Sequence, residues 1–161
     1  FYGRADSFPR WFALVAGLSA SASFLNSMIV MRLGMRRLIS AALRIQIVWS
    51  LGMLVLYAQG LMAGNLGFAL FIFWIFGLFF QAGMTLGNLT ALAMEPLGHI
   101  AGTAASVTSA VATLGSILLA SMAGQFFDGT PLVMLIAIFA WSICGSLSAH
   151  RLKRFDRTRA L

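Results

Sequence analysis

The sequence is poor in acid. Four Asp and Glu stand against 11 Lys and Arg in 161 residues, and only 9% of the chain is charged. A soluble domain carries about 25% charged residues, so no water-facing surface can be built from this composition. Cysteine is nearly missing too. Cys144 is alone inside an apolar run, which excludes an internal disulfide and leaves a small packing residue as its expected role. The two histidines, His99 and His150, have no Cys or Asp partner, and no nucleophile–base set or metal cluster is visible. The expectation is a protein that is not an enzyme and that needs no cofactor and no metal. Position 1 holds Phe1 rather than methionine, and no basic, apolar and small-residue cleavage pattern follows it. We expect a piece of a longer protein.

What is present is apolar. Hydrophobic residues make up 60% of the chain and its mean hydropathy is +0.92, which points to an all-α membrane protein with several spans. The net charge of +7 does not imply nucleic acid. The basic residues sit in two clusters beside apolar runs, which is the pattern that orients spans in a bilayer.

Five transmembrane helices are expected in one domain, 1–161. They lie at 11–31, 38–59, 68–94, 101–127 and 132–149, with a basic tail at 150–161. Residues 1–10 read as a loop, and 60–67 as a glycine-rich turn without charge. The organising feature is the helix break Glu95-Pro96-Leu97-Gly98-His99. Proline cannot continue a helix and biases the residue before it away from helical angles. Two membrane-length helices joined by so few residues are expected to lie antiparallel and adjacent. Asp128-Gly129-Thr130-Pro131 reads as a tight turn, with Pro131 at a helix start.

Polar residues inside the spans are few and patterned. Ser19, Ser23 and Asn26 recur at i, i+4, i+7 and share a face. Gln81, Thr85, Asn88 and Glu95 form a stripe on the third span at i, i+4, i+7, i+14. Amides deep in a span are costly unless partnered or wetted. Two roles fit them: an interhelical hydrogen-bond network, or the wall of a wet cavity. A stripe favours the cavity over a lone residue, so Ser23, Asn26, Gln81, Thr85 and Asn88 are the substrate-cavity candidates. Gly77, Gly83 and Gly87 permit close approach of another backbone. In the fourth span, Val107, Val111, Leu114 and Leu118 form a bulky line on a surface otherwise rich in small residues, which suits packing. Arg44 lies about 9 Å past Leu38 at 1.5 Å per residue, shallow enough to reach back to the interface.

Orientation follows from charge. Arg32, Arg36 and Arg37 around Gly34 mark a cytoplasmic loop, and four further crossings return the C-terminus to that side. The inner side then carries these three plus five in the tail, eight in all, against Arg4 and Arg10 outside. The N-terminus of the segment is expected outside and the C-terminus in the cytoplasm.

Two stretches resemble a known family. Asn26 followed by Arg32-Leu33-Gly34-Met35-Arg36-Arg37 resembles the basic loop that recurs in each half of major facilitator superfamily transporters, with Met31 at the usual acidic position and Ser27 at the usual leading glycine. Asn88 to Pro96 and Gly98 to Ser106 look like the tenth-to-eleventh-helix connection of Bcr/CflA-type multidrug efflux transporters, and Gly124 to Pro131 adds to the likeness. The resemblance covers essentially the whole chain, as helices eight to twelve of a twelve-helix fold. It implies a bacterial inner-membrane exporter of drugs or small metabolites, driven by protons. Its partners would be the lipid bilayer, the substrate, and the missing N-terminal half of the transporter. It also implies that the first, third and fourth spans border the central cavity and the second and fifth lie outside. No Asp or Glu lies mid-membrane, so proton chemistry would belong to the missing half. The rival expectation is a small standalone multi-span membrane protein that scaffolds or regulates a partner.

Overall fold

The computed structural model describes residues 2–159, with side chains for all of these except residue 5 and 152–159. Among the described residues every regular element is helical: α1 Phe8–Ser19, α2 Ser21–Leu33, α3 Met35–Ala58, α4 Gly64–Met94, α5 Ala101–Gln125 and α6 Leu132–Arg159, with 3-10 turns at Ala5–Ser7 and Glu95–Ile100. The helices overrun five of the ten expected span ends, coincide at three and stop short at two. α1 takes in Pro9 and Arg10, because a first-turn proline has no helical partner for the N–H it lacks. α4 starts inside the expected turn, at Gly64. α6 continues through the expected tail to Arg159; residues 160 and 161 lie outside the described residues.

Two joints in the first pair of spans are very short. At Ala20 the backbone stays helical, but its N–H is shared between Ala16 O and Gly17 O at 3.2 and 3.3 Å. The Ser23 N–H then reaches only three residues back, to Ala20 O. This tightening separates α1 from α2 without a loop. The expected basic loop shrinks to one residue. Gly34, at φ +78°, ends α2 in a conformation that side chains resist, and Arg36 and Arg37 already belong to α3.

The largest correction concerns the count of spans. Four helical runs among the described residues are long and apolar enough to cross a membrane: Phe8–Leu33, Met35–Ala58, Gly64–Gln125 and Leu132–Arg151. Five were expected. The break is where proline places it, since α4 ends at Met94 and α5 begins at Ala101. However, the residues between are wound as a 3-10 turn rather than opened as a loop, which makes the third and fourth spans one 62-residue run. Leu97 departs from helical angles there, at φ −115° and ψ 23°. Nor do α4 and α5 pack side by side along their length. α5 is exposed almost throughout, with Ala104 its one buried residue.

The bundle is built around α3, which packs against α4 on one side and α6 on the other. Met53, Met62, Trp74 and Leu135 form the central buried cluster, ringed by Trp49, Tyr57, Phe71 and Ile138. A smaller cluster, Ala22, Leu38 and Met84, joins α2, α3 and α4. Between spans in lipid such packing acts through dispersion and shape, because lipid tails are as apolar as leucine. α3 and α6 run antiparallel: Leu43 lies against Gly145 at one end, and Met53 clusters with Leu135 toward the other. The start of α3 and the end of α6 therefore share one end of the bundle, and both are basic. At the opposite end Tyr2 donates its hydroxyl proton to the carbonyls of Met62 and Gly67, at 3.0 and 3.1 Å.

Candidate functional site

The amides expected to form a site converge in part. Asn88, 5% exposed, donates from Nδ2 to Asn26 Oδ1 at 2.7 Å and to its own-helix Met84 carbonyl at 2.8 Å. Thr85, 4% exposed, donates its hydroxyl proton to the Gln81 carbonyl at 2.9 Å. Both groups are satisfied, Asn88 across the α2–α4 seam and Thr85 within α4, which removes the cost of an unpaired polar atom there. Asn26 and Gln81 are half-buried and Ser23 is exposed. Thus Asn88 and Thr85 face inward, Asn26 straddles the edge, and Gln81 and Ser23 stand at the margin.

Local geometry explains the split. A Cβ on Gly83 would come within 2.9 Å of the Ala22 Cβ and 3.6 Å of the Ser19 carbonyl oxygen. Only a bare backbone lets α4 lie this close to the α1–α2 joint. The joint also resets the helical phase, so Ser19 is buried while Ser23, one turn on, is exposed. The Ser19 Oγ is buried with no hydrogen-bond partner. Gly77 likewise admits a neighbour, with Trp49 Nε1 at 3.2 Å from its would-be Cβ, whereas Gly87 has nothing within 4 Å. Glu95 and Pro96 are exposed on the 3-10 turn, and Arg32, Gly34, Arg36 and Arg37 are exposed at the basic end.

One polar cluster was missed. Gln46 Nε2 donates to Ser50 Oγ at 3.0 Å, and Trp74 Nε1 donates to the same oxygen at 3.3 Å. Ser50 and Trp74 are both 0% exposed. The signal was present as Gln46 and Ser50 at i and i+4 on the second span. Cys144 is also corrected: it is exposed, on the side of α6 turned away from Leu135, Ser142 and Gly145.

Two hollows mark the ends of the bundle. An apolar groove of about 470 Å³ lies between α1 and α4, lined by Trp11, Val15, Phe68 and Phe76. Arg4 closes its mouth by donating to Asn65 Oδ1 at 2.7 Å, with its guanidinium 4.7 Å from the Phe68 ring centroid. At the basic end a polar cleft of about 140 Å³ is lined by Ser40, Arg44, Ser146, Leu147 and His150. Arg44, expected to reach for the interface, is exposed there. Outside the spans, the Thr130 hydroxyl and amide donate to Asp128 Oδ1 at 2.7 and 2.9 Å, and these bonds hold its carboxyl below the usual carboxylate range.

Among the described residues no three His, Cys, Asp or Glu side chains gather as a metal site would require. No family model, no curated protein and no solved structure matches the chain. The arrangement itself must carry the functional reading.

Proposed function

We propose that the chain is part of a secondary transporter, corresponding to helices eight to twelve of a major facilitator of the Bcr/CflA drug-efflux type. It would export drugs or small metabolites across a bacterial inner membrane by alternating access and proton antiport. The observation that carries this reading is the Asn26–Asn88 bond. It fastens two membrane-length helices together and leaves Gln81 and Ser23 at the open edge of the seam. A polar edge of this kind is one wall of a passage. The preceding half of the carrier would supply the other wall and the carboxylate that takes up protons.

Length supports five crossings. A straight helix of 62 residues would extend about 93 Å, roughly three times the hydrocarbon thickness. Such a run fits a bilayer by crossing twice, turning at Glu95–Ile100. The N-terminus of the segment is then outside and both basic ends are cytoplasmic. The exposed face of α5 would meet lipid along Val107, Val111, Leu114 and Leu118, and the other half of the carrier along its small residues.

Thiol accessibility tests the wall. Cys144 is first replaced by serine, and Ser23→Cys, Gln81→Cys and Leu114→Cys are then introduced into the full-length protein in vesicles. A water-borne maleimide should modify the first two and spare the third. If S23C and Q81C stay inert with and without substrate, the passage reading fails.

The exposure of α5 also favours a second reading, a standalone scaffold that docks a partner on that face. A start codon and ribosome-binding site just ahead of Phe1 would support it. An upstream frame encoding about seven more spans, each of roughly 20 apolar residues, would support the transporter.

A further inference from the structure

We propose that the cleft between the start of α3 and the end of α6 holds the phosphate of an anionic phospholipid headgroup. The proposal rests on the membrane setting and is independent of transport. Cationic or protonatable side chains from two helices, Arg44 on α3 and His150 on α6, line one small cavity with Ser146 between them. Among the described residues no Asp or Glu lines it, and Arg44 has no hydrogen-bond or ion-pair partner. Ser40 has already given its proton to the Arg36 carbonyl at 2.8 Å. The free donors are therefore the Arg44 guanidinium, an imidazole N–H and the Ser146 hydroxyl. Several donors with no carboxylate beside them in the described lining call for an anion with several oxygens. The volume, about 140 Å³, equals roughly five waters at about 30 Å³ each, which suits a phosphate and little more.

Position selects a lipid as the source of that phosphate. His150 stands one residue before the end of the apolar run Leu132–Arg151, at headgroup depth. Arg44 shares the cleft with His150 and is shallow enough to meet a headgroup phosphate from the same end. Leu147, also in the lining, is 58% exposed and offers apolar contact to the glycerol and upper acyl carbons. The basic residues Arg151, Lys153 and Arg154 follow at once in the sequence and raise the local concentration of anionic lipid. The cleft differs from such general attraction because two helices clamp one site.

The full chain in phosphatidylcholine nanodiscs, titrated with phosphatidylglycerol and read by native mass spectrometry, tests this. One phosphatidylglycerol should be retained per chain. Arg44→Gln should weaken retention about tenfold or more, the loss expected for a charge-assisted contact. His150→Gln should weaken it measurably, and Arg44→Lys, which keeps the charge, should recover part of it. Arg32→Gln removes a cation from the same end outside the cleft and should cost no more than about fivefold. Equal losses in R44Q and R32Q, or full retention in the R44Q/H150Q double variant, would overturn the site. Inorganic phosphate is added to phosphatidylcholine discs as a second arm, read by phosphorus NMR line width. R44Q-sensitive broadening there would overturn a lipid as the occupant in favour of a soluble phosphate, and unchanged lines would support the lipid.

Discussion

α3 and α5 are nearly equal in length, 24 and 25 residues, and both are apolar enough to sit in a bilayer. Six residues of α3 are buried and one of α5, so apolarity does not decide which helix stands at the centre. α3 has large side chains, Trp49 and Met53, that interlock with Trp74 and Leu135, and a polar anchor at Ser50 that two neighbours address. α5 has small side chains on most of its surface, and its larger ones point away from the bundle at Val107, Val111, Leu114 and Leu118. In a bilayer, shape and hydrogen bonds sort helices that the hydrophobic effect treats alike.

The contrast is open to direct test, and the strongest is truncation of the α4 side chain that α3 packs against, set beside truncation on α5. Trp74→Ala should lower unfolding free energy in detergent by about 3–5 kcal/mol, through the cavity and the lost bond to Ser50. Leu114→Ala, at a site 63% exposed, should change it by less than about 0.5 kcal/mol. Equal losses would mean that α5 is covered and the contrast is false.

Glycine offers the next test. Gly83→Ala pushes a Cβ against Ala22 and should cost about 1–3 kcal/mol. Gly115→Ala meets nothing within 4 Å and should gain about 0.5–1 kcal/mol from helix propensity. Thermal midpoints that move in the same direction would contradict this. A double-mutant cycle on Asn26→Ala and Asn88→Ala should give a coupling of about 0.5–1.5 kcal/mol, the range for hydrogen bonds between membrane helices. Zero coupling would detach α2 from α4 as a polar seam.

The smallest effect lies in the turn between α5 and α6. Bonds from Thr130 lower the Asp128 pKa, so their contribution to stability is present above the ordinary carboxylate value and is lost as pH falls through the lowered one. An NMR titration should show Asp128 titrating below a free aspartate. Thr130→Val should raise that midpoint. An unshifted midpoint in the unsubstituted protein would remove these bonds from solution.

Much of the backbone was legible because its punctuation is chemical. Pro96 and Pro131 place their boundaries where expected and Asp128 makes the expected turn, whereas at Gly34 the helices close in from the expected 31 and 38 to Leu33 and Met35. Asn26 and Asn88 were legible as polar outliers, though not as each other's partners. The Gln46–Ser50–Trp74 cluster was not read because Trp74 comes from another helix, 24 residues on from Ser50, and the exposure of Cys144 was not read because an apolar run around it shows no contrast between lipid face and protein face. The 3-10 winding at Glu95–Ile100 escaped for another reason: proline forbids the helical bond but leaves the alternative turn open.

Composition, the run lengths and the few prolines and glycines were enough to specify helices of membrane length and the breaks at Pro96 and Pro131, because a helix satisfies its hydrogen bonds within four residues of itself. Which helix lies in the middle, which amide meets which, and which face of α5 stays uncovered depend on side chains far apart in the chain fitting one another. That fit exists only once α3, α4 and α6 are packed together.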